Sequence, residues 1–190
     1  MDVGLAKFQP CAEELGANSR LLEQSSDDFF RNSATGVDYL IFFDGLHTSS
    51  QTFRDFTSTL AFSGSRTIWS IDDVLPSSAL SSIPDLARWH RLRETLNSDE
   101  WQWHGDVFRS IMIISQSFVG FKFATIIDGG NAQTIIWRGM NDSQLSHSWE
   151  EIARFTYFDL IPDLSILNPY SEEDALETVR SSFLSTETLD

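Results

Sequence analysis

The stretch VFRSIMIISQSFVGFKFATIIDGGNAQTIIWR, from Val107 to Arg138, decides the fold class. It holds three apolar, β-rich runs close together. Ile111 to Ile114 is the first, and in the second Phe121, Phe123, Thr125 and Ile127 alternate with their neighbours, as residues on one face of a strand do. Asp128-Gly129-Gly130-Asn131 then supplies turn residues before the third run, Thr134-Ile135-Ile136-Trp137. Consecutive antiparallel strands follow, and the fold class expected is α+β, an antiparallel sheet flanked by helices.

Upstream, Val37 to Phe43 is almost continuously apolar and stops at the turn-forming pair Asp44-Gly45, which leaves a strand and the end of a buried helix both open. Thr67-Ile68-Trp69-Ser70 reads as a strand. Ser70 and Asp73 have the spacing of a capping box, predicting a helical turn after it. Ser82-Ile83-Pro84-Asp85 reads as a helix start, with Leu86, Trp89, Leu92 and Leu96 as the stripe that faces the core. Downstream, Ser148 and Glu151 form a second box, followed by Trp149, Ile152, Ala153, Thr156, Tyr157 and Leu160 at helical spacing up to Pro162. Ser171 and Asp174 open a last helix, with Leu176, Val179, Phe183 and Leu184 as its apolar face. The first 36 residues carry helix-compatible pieces, with Leu21, Leu22, Phe29 and Phe30 as buried positions. No composition break marks a second domain, so residues 1–190 are expected as one domain: a helical region to 36, a sheet core over 37–160 and a helical extension over 161–190.

The 190 residues include 15 Phe and 6 Trp, too aromatic a composition for a disordered acidic chain. Twenty-eight acidic against 13 basic residues give a net charge of −15, which repels phosphate backbones and anionic membranes and favours encounter with a basic protein. Neither nucleic acid nor membrane is expected as a partner. MDVGLAKFQP lacks the basic start and apolar run of a signal peptide, so the expected location is cytoplasmic. The lone Cys11 forms no internal disulfide. The histidines, His47, His90, His104 and His147, show no helical metal-ligand spacing, so neither metal nor cofactor is expected. Asp128-Gly129-Gly130 lacks the Lys of a Walker loop and the glycine spacing of a dinucleotide fingerprint. Arg88, His90, Arg91 and Arg93 read as a solvated helix face pairing with local acids.

Two clusters suit a basic partner. Asp72-Asp73 and Asp99-Glu100 are paired carboxylates, and Asp99-Glu100-Trp101-Gln102-Trp103-His104-Gly105-Asp106 sets two Trp among acids. An exposed Trp there is an interface anchor, and a buried one is ordinary core. With Asp44, these give the candidate partner-binding residues: Asp44, Asp72, Asp73, Asp99, Glu100, Trp101, Trp103 and Asp106.

Four pieces in order resemble the SUKH superfamily, whose members include many bacterial immunity proteins that neutralise polymorphic or contact-delivered toxins. They are YLIFFDGL (Tyr39 to Leu46), TIWSIDDV (Thr67 to Val74), IMIISQSFVGFKFATIID (Ile111 to Asp128) and HSWEEIARF (His147 to Phe155). They are similar to that family's helix ending in an Asn/Asp-Gly turn, its strand leading into a short acidic helix, its central strands around a Gly, and its Ser-Phe-Glu-Glu-like last helix, with Trp149 in place of Phe. The resemblance implies an antiparallel sheet flanked by helices, a protein-recognition cleft and no catalytic residues. The expected function is inhibition of a basic toxin, such as a nuclease, by occlusion. A regulatory or scaffolding module of the same fold is the alternative. A third reading starts from LIFFDGLHTSSQTFRDFTSTL, which resembles the first strand and oxyanion loop of an α/β-hydrolase, with IMIISQSFVG resembling its elbow around a nucleophilic Ser117. Where that family has Gly-x-Ser-x-Gly, this chain has Ser115-Gln116-Ser117-Phe118-Val119.

Overall fold

The computed structural model describes residues 22–32, 36, 38–140 and 147–187, in two units that comprise residues 1–35 and 36–190. Cys11 and Leu21 lie outside the described residues. In the first unit, α1 (Ser26–Asn32) starts where the Ser25 hydroxyl accepts from the Asp28 amide at 3.1 Å. Phe29 and Phe30 meet edge to face, half-buried.

The second unit is built on five strands, β1 (Asp38–Phe43), β2 (Ser63–Ile71), β3 (Phe121–Ile126), β4 (Gln133–Arg138) and β5 (Pro169–Tyr170), in the order β1-β2-β4-β3-β5. The run before Asp44-Gly45 is therefore a strand. The sheet is mixed, which corrects the antiparallel expectation: β2, β4 and β3 pair antiparallel, but β1 runs parallel to β2 and β5 parallel to β3. The reason is the connection. After β1, helix α2 (Ser49–Thr59) and a short 3-10 turn carry the chain back to the starting edge before β2 begins, and a crossover of that kind delivers a parallel neighbour.

Ile111 to Ile114 is not a strand either. It is the middle of α4 (Phe108–Ser117), which follows α3 (Leu86–Thr95) and buries Phe108, Ile111, Met112, Ile114 and Ser115. Burial around most of a helix erases the polar side that reveals helical period, and the short apolar run that remains looks like a strand. The β3–β4 hairpin forms as expected, with Gly130 at φ 88 in its turn.

Period two divides the sheet between two cores. Trp69, Ile71, Phe121, Phe123 and Ile136 face the larger one with Phe56, Ile111, Met112, Ile152 and Leu160. Ala124 and Trp137 face the other, closed by Ala175 and Val179 of the last helix, α7 (Glu172–Glu187). Leu176 and Leu184, expected inside, are 51% and 55% exposed. Val179 and Phe183 pack inside as expected, and Ala175 takes the position expected of Leu176, so the buried stripe runs through Ala175, Val179 and Phe183. The indole N–H of the wholly buried Trp69 donates to the Thr59 hydroxyl at 2.8 Å.

Three further local expectations resolve differently. No helix follows β2, and Asp73 instead takes a left-handed φ of 59. Helix α3 starts at the expected stretch, capped by Asp85, whose carboxylate accepts from the Arg88 amide, but its expected apolar stripe holds only in part. Its Trp89 is buried, but Leu96 is 65% exposed. The helix after Ser148 is two pieces, α5 (Trp149–Arg154) and α6 (Tyr157–Leu160), because Phe155 turns extended and Thr156 opens a new cap with Asp159. Among the described residues, no helix is long and apolar enough to cross a membrane.

Candidate functional site

Because β1 and β2 are parallel and in register at Phe43 and Ile71, their carboxyl ends emerge together, and β4, antiparallel to β2, begins at the same edge. Asp44 follows β1, Asp72-Asp73 follow β2, and Asn131 precedes β4, so carboxylates from two strand ends and an amide from a third meet at one edge of the sheet. In open sheets, the carboxyl ends of parallel strands are where loops diverge and ligands bind. Asn131 Nδ2 donates to Asp72 Oδ1 and to Asp73 Oδ1, both at 2.9 Å.

His47, in the turn between β1 and α2, completes the cluster. Its Nδ1–H donates to the Trp103 carbonyl, and its ring stacks on the Trp103 indole at 4.9 Å between centroids. The other nitrogen, Nε2, faces Asp73 Oδ2 at 3.1 Å and Asp44 Oδ1 at 3.6 Å. Behind Asp73 sits His104, only 3% exposed, with Nε2 3.9 Å from Asp73 Oδ1.

The loop that delivers Trp103 and His104 is locked against the His47 turn. Gly105 has φ 61, and a Cβ there would fall 1.7 Å from the His47 carbonyl oxygen, so a side chain is excluded by both backbone conformation and space. The buried Asp106 then reaches across to the start of α2, accepting from the Ser49 amide at 2.7 Å and its hydroxyl at 3.0 Å. Arg109 neutralises it at 2.8 Å.

The electrostatics follow from this crowding. Burial, reinforced by the charges of Asp73 and Asp44, pushes the Asp72 carboxyl above the ordinary aspartate range. Burial pushes His104 below the ordinary histidine range, against the pull of Asp73 and Glu100.

The candidate residues thus fall into three groups. Asp44, Asp72 and Asp73 converge. Asp106 and Trp103 hold loops together, the Trp103 indole N–H donating to the Ile83 carbonyl at 2.6 Å. The acid-and-Trp loop presents Trp101 and Asp99 outward, Trp101 being 76% exposed beside Leu96. Glu100 works locally: its Oε2 accepts from Ser78 at 2.7 Å and Ser77 at 3.0 Å, and its Oε1 from the Gln102 amide at 3.2 Å. Burial raises its pKa, and these hydrogen bonds outweigh burial and hold the carboxyl below the ordinary range.

Ser117 is the last residue of α4, exposed, with β3 following it. A nucleophile elbow needs a strand leading into a helix, and here the order is reversed. On α3, Arg88 and Arg91 are exposed with no carboxylate within 4.0 Å among the described residues, and Arg93 lies 5.5 Å from the Trp89 ring. His90 is exposed, and His147 lies edge-on to Phe155. Scanning histidines for helical spacing missed His47 and His104 as members of one cluster, since they come from different loops. The one local signal was Asp44-Gly45-Leu46-His47, an acid three residues before a histidine at a turn.

Compared with known proteins, the chain matches no family model, no curated protein and no solved structure at a significant level.

Proposed function

We propose that this domain is an inhibitor of the immunity type, which binds a basic toxin and covers its active surface. The observation that carries the reading is Trp101. Of the six indoles it is the most exposed, at 76%, and it stands beside the 65% exposed Leu96 and the Asp99 carboxylate on a loop pinned by Glu100. A large ring held out in water on a braced loop is unfavourable for an isolated domain and favourable once a partner covers it, which is the profile of an interface hot spot. The net charge of −15 supplies long-range attraction to a Lys- and Arg-rich surface.

The test uses the whole chain and its Trp101→Ala and Asp99→Lys variants as baits in host extract, followed by assay of the captured protein alone and in complex. The reading expects one basic protein whose activity falls on binding, with affinity reduced at least tenfold by Trp101→Ala. Binding without loss of activity replaces inhibition with a regulatory or scaffolding role. Equal capture by all three baits rejects this surface.

A further inference from the structure

We propose that Asp44, His47 and Asp73 form a three-ligand centre for a divalent transition-metal ion, with zinc the best match. One ligand atom from each of these residues lies within 4.8 Å of the other two. The chemistry of His47 makes the arrangement specific. Its Nδ1–H is committed to the Trp103 carbonyl, so in the neutral ring Nε2 is a lone pair, and that lone pair faces two carboxylates. Three acceptors converging on one point need a shared cation, either a proton on Nε2 or a metal.

Distance separates the two. A charge-assisted N–H···O bond closes to about 2.7–2.9 Å, whereas Nε2 stands 3.1 Å and 3.6 Å from its two neighbours. Ligand atoms about 2.0–2.2 Å from a tetrahedral zinc lie roughly 3.3–3.6 Å apart. The 3.1 Å contact to Asp73 is within hydrogen-bond range and the 3.6 Å contact to Asp44 is beyond it, so a proton on Nε2 serves one carboxylate, whereas a metal ion would serve both.

The surroundings are those of a metal site. Ligating histidines ordinarily donate their second nitrogen to a carbonyl or carboxylate, as His47 does to Trp103, and ligating carboxylates are themselves hydrogen-bonded, as Asp73 is by Asn131 at 2.9 Å. An independent observation is His104. Its ring is 97% buried, with Nε2 3.9 Å from Asp73 Oδ1 and the Asn131 side chain hydrogen-bonding to it. His104 is thus a positioning residue behind Asp73. Asp44, whose side chain is 54% exposed, leaves the fourth coordination position open to solvent. One imidazole with two carboxylates is a borderline donor set, suited to zinc, manganese or iron rather than to copper(I) or calcium.

Calorimetric titration of the untagged, chelator-treated whole chain with zinc chloride tests the proposal, with cobalt(II) as a spectroscopic probe. The expected result is one zinc per chain that survives millimolar magnesium and calcium, and visible cobalt bands of a four-coordinate site. Asp44→Asn and Asp73→Asn each weaken binding at least tenfold, with a cooperative thermal melt of each metal-free variant as the check that the fold survives. His104→Ala weakens it about 10- to 100-fold. Absence of stoichiometric binding overturns the proposal, as does binding that magnesium abolishes or that all three variants retain, since either describes loose cation attraction to an acidic surface. Capture through Trp101 is a separate readout, so failure of one proposal leaves the other standing.

Discussion

Replacing Gly105 by Ala perturbs the closest backbone approach between the His47 turn and the loop carrying Trp103 and His104. Gly105 has φ 61, a conformation that disfavours an L-residue with a Cβ by about 1–2 kcal/mol. The added carbon would also lie 1.7 Å from the His47 carbonyl oxygen, so the two loops must separate by well over an ångström. That movement pulls Asp106 from the Ser49 amide and removes a hydrogen bond worth roughly 1 kcal/mol. Together these effects give a loss of about 3 kcal/mol, which at a urea m-value of about 2 kcal/mol/M lowers the unfolding midpoint by about 1.5 M. Gly129→Ala is the control, because φ there is not positive and the nearest contact of a Cβ is the Ile126 Cγ2 at 3.9 Å. It should change stability by no more than about 0.5 kcal/mol. Urea titrations followed by tryptophan fluorescence read both variants. Equal midpoints for the two would refute the crossing as the element that sets the site.

The remaining predictions concern charge and surface. Trp101→Ala should leave the midpoint within about 0.5 kcal/mol of the parent, because the ring is 76% exposed, and a larger loss would mean it packs. Glu151 and Asp159 are held below their ordinary ranges by hydrogen bonds from Ser148 and Thr156 respectively. A depressed carboxyl contributes stability that is present above its unfolded pKa and lost as pH falls through the folded value. Acid titrations of Glu151→Gln and Asp159→Asn should therefore show weaker loss of stability below about pH 4 than the parent. Asp72 is shifted the other way by burial and by Asp73 and Asp44, so its ionised form opposes folding once the pH has risen through its folded pKa. With chelator present, Asp72→Asn should be more stable than the parent at pH 7 and lose that advantage near pH 3, whereas a destabilised variant at pH 7 would show that its negative charge is needed.

Much of the architecture was legible because it is written in contacts between near neighbours. Ser148 with Glu151, and Ser171 with Asp174, cap their helices through partners three residues away. The turn Asp128 to Asn131 joins strands that pair directly. Where neighbours compete, the reading failed. Ser70 and Asp73 have the same spacing as a working cap, but the chain at Asp73 is held left-handed beside Asn131, and no helix starts. Ile111 to Ile114 is apolar on too many sides for its period to show, and packing against α2 and the sheet makes it helical.

The sequence by itself determined the composition-level facts, an acidic, aromatic-rich chain with alternating helices and strands, because propensity, capping and period act over a few residues. Only the tertiary structure decided that β1 lies parallel to β2, and the site follows from that one choice. Asp44 and Asp73 meet because two strand ends share an edge, and His47 turns between them because Gly105 lets another loop pass against its carbonyl. Hydrogen bonds between residues tens of positions apart depend on which strands become neighbours, a choice set by burial on both faces of the sheet at once.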